Sequence, residues 1–286
     1  MRKDSQISLR ADAIVRIMER RHGLDISGYA GSFLEQTLAQ RMAETGGLTV
    51  EAYDEGLAGS RAEAEAFYRS LHVGYSEFFR NPLTFALLEQ QVLPALIAAK
   101  RQTGGSELRV WSAGCAAGQE AWSVAILLDE LCGACGAAPL AHRIFATDIS
   151  EPELNQARTG VYSAAAVGNI RMRQLQNCFS RQGEAYTIVP RLRARVAFST
   201  YDLLDARTAS PADSLYGDFD LILCCNLLFY YRPDRCQRIL DKVCRALAPG
   251  GYFVTSETER AVLAEHGGLR AVVPVAAVFR KKAEGC

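Results

Sequence analysis

Residues 108–120, Leu-Arg-Val-Trp-Ser-Ala-Gly-Cys-Ala-Ala-Gly-Gln-Glu, read as a hydrophobic strand, a glycine turn and the opening of a helix. A strand that turns through glycine straight into a helix is the first half of a βαβ unit, and it commits the chain to a sheet with helices on its faces. The pattern downstream agrees. Strands are expected at 108–112, 143–147, 195–199, 219–225 and 251–256, and helices at 119–132, 151–158 and 233–247. An apolar piece near 270–280 adds one or two further strands. This alternation predicts an α/β fold with a mostly parallel sheet, whose ligands bind beyond the carboxyl ends of the strands.

Two regions fall outside the alternation. Residues 1 to about 70 carry a helical period, with Ile14, Ile17 and Met18 in one run, Phe33, Leu34 and Leu38 in the next, and a break at Gly46-Gly47. Nine basic and eleven acidic side chains precede Ser70, so this is no basic arm. It reads as a small all-helical domain that either packs on its neighbour or positions a partner. After the junction 71–82, Pro82 opens a helix running towards Pro94. The second region, 159–194, holds a helix rich in Arg and Gln and then Phe179–Val189, a hairpin turning at Gln182-Gly183. Between 159 and 200 there are six arginines and one acidic residue, Glu184. This basic lobe reads as either a solvated face or a docking surface.

The 286 residues are enough for one large domain or two modest ones, and the formal charge is zero. Bulk electrostatic binding to nucleic acid or membrane is therefore not expected. No apolar run is read as approaching the length of a membrane span, and the start Met-Arg-Lys-Asp-Ser-Gln lacks a signal-peptide apolar region, so the expected location is cytoplasmic. Nine cysteines scattered through core elements fit reduced thiols. Cys132-x-x-Cys135 has no second pair at zinc spacing, and metal is not implied.

Glycine at 114 and 118 removes the Cβ that would obstruct close approach of a ligand to the backbone. The spacing is Gly-x-x-x-Gly rather than Gly-x-Gly-x-x-Gly, and Glu120 stands where a pyrophosphate would sit. A carboxylate at a helix N-terminus repels a polyanion and suits a cationic ligand end. That favours S-adenosylmethionine, whose ammonium and sulfonium are both positive, over a nicotinamide dinucleotide. Asp148, thirty residues beyond Gly118, ends the next strand, where a carboxylate can accept both ribose hydroxyls or cap the following helix. Asn226 ends the strand at 219–225, and its amide can both donate and accept at a pocket wall. The apolar Leu227-Leu-Phe-Tyr-Tyr231 that follows suits either a slot for a flat adenine or core packing.

Taken in order, Ser76-Glu-Phe-Phe-Arg80, Trp111 to Glu120, Ala146-Thr-Asp-Ile149, Cys224-Cys-Asn226 with Tyr230-Tyr231, and Pro249-Gly-Gly251 resemble the chemotaxis receptor glutamate methyltransferases, the CheR family. The resemblance spans nearly the whole chain. It implies a helical N-terminal domain (1–75) joined to a Rossmann-like methyltransferase domain (76–286) with an inserted small β-subdomain at about 159–198. It further implies transfer of a methyl group from S-adenosylmethionine to receptor glutamates, leaving S-adenosylhomocysteine. By this resemblance Gly74, Ser76, Arg80, Gly114, Glu120, Asp148, Asp202, Leu203, Asn226 and Leu227 line the cofactor site, with Arg80 and Tyr230 near the substrate carboxylate. The partner implied is the cytoplasmic domain of a chemoreceptor-like protein. In some members the β-subdomain grips a receptor tail peptide; the hairpin around Gly183 is short, so a tail-independent member is expected, and the expected form is a monomer. Three positions depart from the family pattern: Gly74 and Asp202 each stand where Asn is usual, and Cys225 replaces the Arg of a Cys-Arg-Asn motif. Methyl transfer to another acceptor, and a non-catalytic cofactor-binding signalling module, are the competing readings.

Overall fold

The computed structural model describes residues 2–46, 49–133, 140–214, 217–264 and 266–282. The chain divides into two compact units, one formed by Met1–Val73 with Leu228–Gln237 and the other by Gly74–Leu227 with Arg238–Cys286.

The first unit is helical: α1 (Arg2–His22), α2 (Gly31–Glu44), α3 (Val50–Gly59) and α4 (Arg61–Ser70). Its core contains Ile14, Met18, Leu34 and Leu38, all at most 4% exposed, with Ile17 and Phe33 packed against it. Gly46 follows α2 in the left-handed region, while Gly47 lies outside the described residues. The sequence reading left Leu228–Gln237 in the methyltransferase region, but the structure counts it with the helices. Tyr231 stacks on Tyr29 with ring centroids 5.2 Å apart, Tyr230 lies 4.6 Å from Phe33, and Ala30 N–H donates to the Tyr230 carbonyl at 2.8 Å.

The second unit begins with α5 (Pro82–Leu87), a π-helical turn (Leu88–Val92) and α6 (Leu93–Gln102). Contrary to the expectation that no run approaches a membrane span, Pro82–Gln102 is by length and composition alone long and apolar enough to cross one. Its apolar residues Leu88, Val92, Leu93 and Ile97 are instead buried in this unit's core. Then follow β1 (Glu107–Ala113), α7 (Gln119–Gly133), β2 (Ala141–Asp148) and α8 (Glu151–Thr159). The inserted lobe is β3 (Val161–Ser163), α9 (Met172–Cys178), β4 (Phe179–Gln182), β5 (Ala185–Ile188) and α10 (Pro190–Arg193). The sheet resumes with β6 (Val196–Thr200), β7 (Phe219–Leu223), α11 (Pro233–Ala246, whose first residues belong to the helical unit) and β8 (Leu247–Val254). It closes with α12 (Arg260–Ala264), β9 (Leu269–Ala271) and β10 (Val278–Lys281).

The seven-stranded sheet runs β6-β2-β1-β7-β8-β10-β9. From β6 to β8 all pairings are parallel, and β10 enters antiparallel between β8 and β9. This is a Rossmann-like sheet whose strand order reverses at β1, so the crevice beyond the carboxyl ends of β1, β2 and β7 is where ligands bind. β7, Phe219–Leu223, is buried along its whole length, as a central parallel strand covered on both faces must be. The lobe is a separate antiparallel sheet, β3-β5-β4, with Gly183 (φ 60°) making the hairpin turn.

The lobe is also less free to act as a charged surface than its arginine count implies. Arg171 donates two hydrogen bonds to Glu89, and Arg191 bonds Asp129 at 3.0 Å and the Asn177 carbonyl at 2.8 Å. Arg193 reaches the Arg158 carbonyl at 2.9 Å, and Arg181 folds onto the Gly183 carbonyl at 2.8 Å. Arg171, Arg191 and Arg193 fasten the lobe to the rest of the unit, and Arg181 is engaged within the hairpin.

Candidate cofactor and acceptor site

Three of the four non-glycine residues that the described chain holds at positive φ lie in the segments expected to form the site: Phe79 (52°), Ala116 (45°) and Asn226 (60°). L-residues enter this region only when their surroundings over-determine it, and such strain clusters at functional sites.

The loop after β1 shows why. Gly114 and Cys115 N–H both donate to the Thr147 carbonyl, at 2.8 and 2.9 Å, and Ala116 N–H donates to Asp148 Oδ2 at 2.9 Å. The other Asp148 oxygen accepts from Ser150 N–H at 2.9 Å, while the Ser150 hydroxyl makes no cap bond. Asp148 thus both orders the glycine loop and turns the chain into α8, and each oxygen keeps acceptor capacity for a hydroxyl. The two glycines face protein rather than open space. A Cβ on Gly114 (φ 76°) would lie 3.0 Å from Leu227, and one on Gly118 (φ 89°) 2.9 Å from Ala157 and 3.2 Å from Phe198. Gly118 is therefore required by packing and backbone, not by ligand approach. Gly118→Ala is expected to destabilise the fold by about 2–4 kcal/mol, and an unchanged melting temperature would refute that. The loop is also tied to the lobe, since Tyr162 OH donates to the Ala117 carbonyl at 2.7 Å.

Glu120 lies in the first turn of α7, half-buried, and accepts from Ser112 Oγ at 2.7 Å. Burial pushes its carboxyl up to about 7; the nearby Cys225 thiol, the hydrogen bond from Ser112 and the charge of Arg80 oppose the rise, and the charge of Glu259 adds to it. Cys225, where the family pattern has arginine, places a neutral thiol near Glu120, and its Sγ donates to the Val254 carbonyl at 3.9 Å. Burial, followed by the charge of Glu120, holds that thiol well above its ordinary range, so it stays protonated.

Asn226 is held in its left-handed conformation by Glu259, whose Oε2 accepts from Asn226 N–H at 2.9 Å and Ser256 Oγ at 2.7 Å. Glu259 is 1% exposed and was missed by the sequence reading. Its signal was present as the capping box Ser256-Glu-Thr-Glu259, which the structure forms. The Asn226 Oδ1 atom is buried without a partner, as is Gln119 Oε1. An orphaned buried acceptor costs about 1–3 kcal/mol unless a ligand supplies a donor. The amino groups of a nucleoside-containing cation are such donors, so the residues present fit S-adenosylmethionine.

Segment 74–80 is irregular and anchored by Phe78, fully buried with its ring 4.9 Å from Tyr162 and 5.8 Å from Phe179. Phe79 N–H donates to Ser123 Oγ at 3.0 Å. Arg80 projects from this anchor, donating to the Tyr75 carbonyl at 3.2 Å and lying 4.9 Å from the Tyr75 ring. Ser76 is half-buried in the same segment. A Cβ on Gly74 would collide with the Glu153 carboxylate, so a second acidic residue stands there, its pKa raised by burial and then by Asp148. Sequence reasoning had no signal for Glu153, because only the fold brings α8 to this segment. Asp202 is exposed and accepts from Leu204 N–H at 2.8 Å, while Leu203 is buried. Tyr230 belongs with the helical unit. Cys135 lies outside the described residues, and among those described no three His, Cys, Asp or Glu side chains converge as metal ligands.

Comparison with known proteins adds a family to this geometry. The model of the CheR methyltransferase SAM binding domain matches residues 75–271. A 104.1 kDa protein of Rhodobacter capsulatus is 31% identical, covering 88% of this chain and 26% of its own. Chemotaxis protein methyltransferase 1 of Pseudomonas aeruginosa is 35% identical over 64% of each chain. The chemotaxis protein methyltransferase of Listeria innocua is 27% identical, covering 86% of this chain and 87% of its own. The chain thus spans about a quarter of the first relative and under two thirds of the second.

Proposed function

Because the chain belongs to the CheR methyltransferase family, whose matched domain binds S-adenosylmethionine, we propose that it forms methyl esters on glutamates of a chemoreceptor-like protein. Its setting is the cytoplasm, its form a monomer, and its partner the receptor's cytoplasmic domain. Docking needs no receptor tail peptide; the short β4–β5 hairpin and the internally engaged lobe arginines support this. The observation that carries the reading is the grouping of Glu120, Asp148 and Asn226 at the carboxyl ends of β1, β2 and β7, with two orphaned buried acceptors among them.

Bound S-adenosylmethionine supplies an electrophilic methyl group on a positive sulfur. The acceptor is a glutamate carboxylate, already ionised at neutral pH, so no general base is needed. One carboxylate oxygen forms the new bond to the methyl carbon, and the carbon–sulfur bonding pair leaves with sulfur; no proton moves. Arg80 holds the other carboxylate oxygen, Glu120 balances the cationic end, and Asp148 and Asn226 orient the nucleoside. Alignment in a dry site supplies the rate.

The test is transfer of labelled methyl from S-adenosylmethionine to chemoreceptor cytoplasmic fragments. Label released by mild base identifies an ester; base-stable label points to a nitrogen acceptor, and no label on any fragment rejects the activity.

A further inference from the structure

A cleft of about 250 Å³ opens beside Arg80 within the sheet unit. Phe79, Phe85 and Leu127 give it an apolar lining, and Arg80, Glu89 and Arg171 give it charge. Its size falls below the roughly 300–1,000 Å³ of small-molecule sites, and it suits a single side chain. Leu83 and Met172, chain neighbours of the lining residues Pro82 and Arg171, are 49% and 68% exposed. The apolar part of the lining can take an aliphatic side chain of a protein partner.

The charges say what kind of protein. Arg171 is closed onto Glu89 by two hydrogen bonds, so these two cancel. Arg80 has a carbonyl and an aromatic ring as partners, and no ion pair to a carboxylate is seen for it among the described residues. A guanidinium without a directly bonded carboxylate, its charge felt by Glu120, therefore stands where the cleft begins and can take an acidic side chain.

We propose that this cleft is an acceptor-docking subsite, which takes an apolar side chain of the protein acceptor next to the acidic side chain that Arg80 holds. It rests on the proposed protein-methylating function and extends it to a rule of acceptor choice: a glutamate flanked by a leucine- or methionine-sized residue is preferred over one flanked by a small polar residue.

The test uses the full chain saturated with S-adenosylhomocysteine and two fluorescein-labelled peptides, one with Glu flanked by Leu and one with Ser in place of that Leu. The leucine peptide is expected to bind at least about tenfold more tightly, the return on burying one aliphatic side chain. Ala86→Phe and Asn169→Phe, which fill the cleft from two different segments, should each bring the leucine peptide to the serine level while leaving S-adenosylhomocysteine affinity and melting temperature unchanged. Equal binding of the two peptides by the unaltered protein, no binding of either, or a preference that survives both substitutions overturns the proposal. Dimerisation blocked by Ala86→Phe assigns the cleft to a second copy and also overturns it. A leucine preference without methyl transfer in the label assay counts against the activity and leaves the cleft's selectivity standing.

Discussion

Arg80→Ala is expected to cut methyl transfer by roughly 100- to 1,000-fold, the usual effect of losing one preorganised charged donor, while S-adenosylmethionine still binds. The argument is positional. Phe78 is fully buried and Phe79 is held at φ 52°, so the backbone that presents Arg80 is fixed before any acceptor arrives. Arg80→Lys should recover only part of the rate, because an ammonium lacks the planar fork that grips a carboxylate. A second readout separates this from a structural role. The charge of Arg80 lowers the Glu120 pKa, so Arg80→Ala should move the pH midpoint of cofactor binding upward. Turnover within threefold of the unaltered protein would reject the assignment.

Glu120→Gln should weaken S-adenosylmethionine binding at pH 8 by about 10- to 150-fold, corresponding to roughly 1.5–3 kcal/mol for a charge-assisted bond. It should also abolish a pH dependence that the unaltered protein displays. Burial lifts the Glu120 carboxyl to about 7, and a cationic ligand favours its ionised form. Binding therefore expels a proton, and affinity rises with pH until Glu120 is ionised without help. Between pH 6 and pH 8 the gain should be about tenfold. The sign for folding is opposite: a carboxyl raised from 4.5 to about 7 makes the native state lose stability as pH climbs between those two values. Calorimetry in two buffers of different ionisation enthalpy reads the released proton directly. S-adenosylhomocysteine keeps the ammonium and lacks the sulfonium charge. An equal pH slope for both ligands places Glu120 at the ammonium; a slope for S-adenosylmethionine alone places it at sulfur.

Much of the sheet was legible because its strands are local and apolar. The strands expected at 108–112, 143–147 and 195–199 appear as Glu107–Ala113, Ala141–Asp148 and Val196–Thr200. The strand at 251–256 instead begins at Leu247, since Pro249-Gly-Gly251 reads as a turn but is carried inside β8. What failed were statements that depend on distant partners. Arg171 and Arg191 read as a charged face because Glu89 and Asp129 lie far away in the chain. Leu227 to Tyr231 reads alike for a pocket wall or a core; the structure splits it, with Leu227 against the Gly114 loop and Tyr230 and Tyr231 in the helical core. The Cys225 substitution was visible, but its nearness to Glu120 was not, because that requires β1 and β7 to be neighbours.

The assignment of Leu228–Gln237 to the helical unit has a consequence for synthesis. Translation delivers the four helices first, yet their unit remains without Tyr230 and Tyr231 until residue 231 has been made. At about 5–20 residues per second, the helices wait on the order of 10–30 s for those aromatic rings. During that interval Tyr29 and Phe33 have each other's rings but not those of Tyr231 and Tyr230, so this unit is completed only after the sheet strands up to β7 have been made.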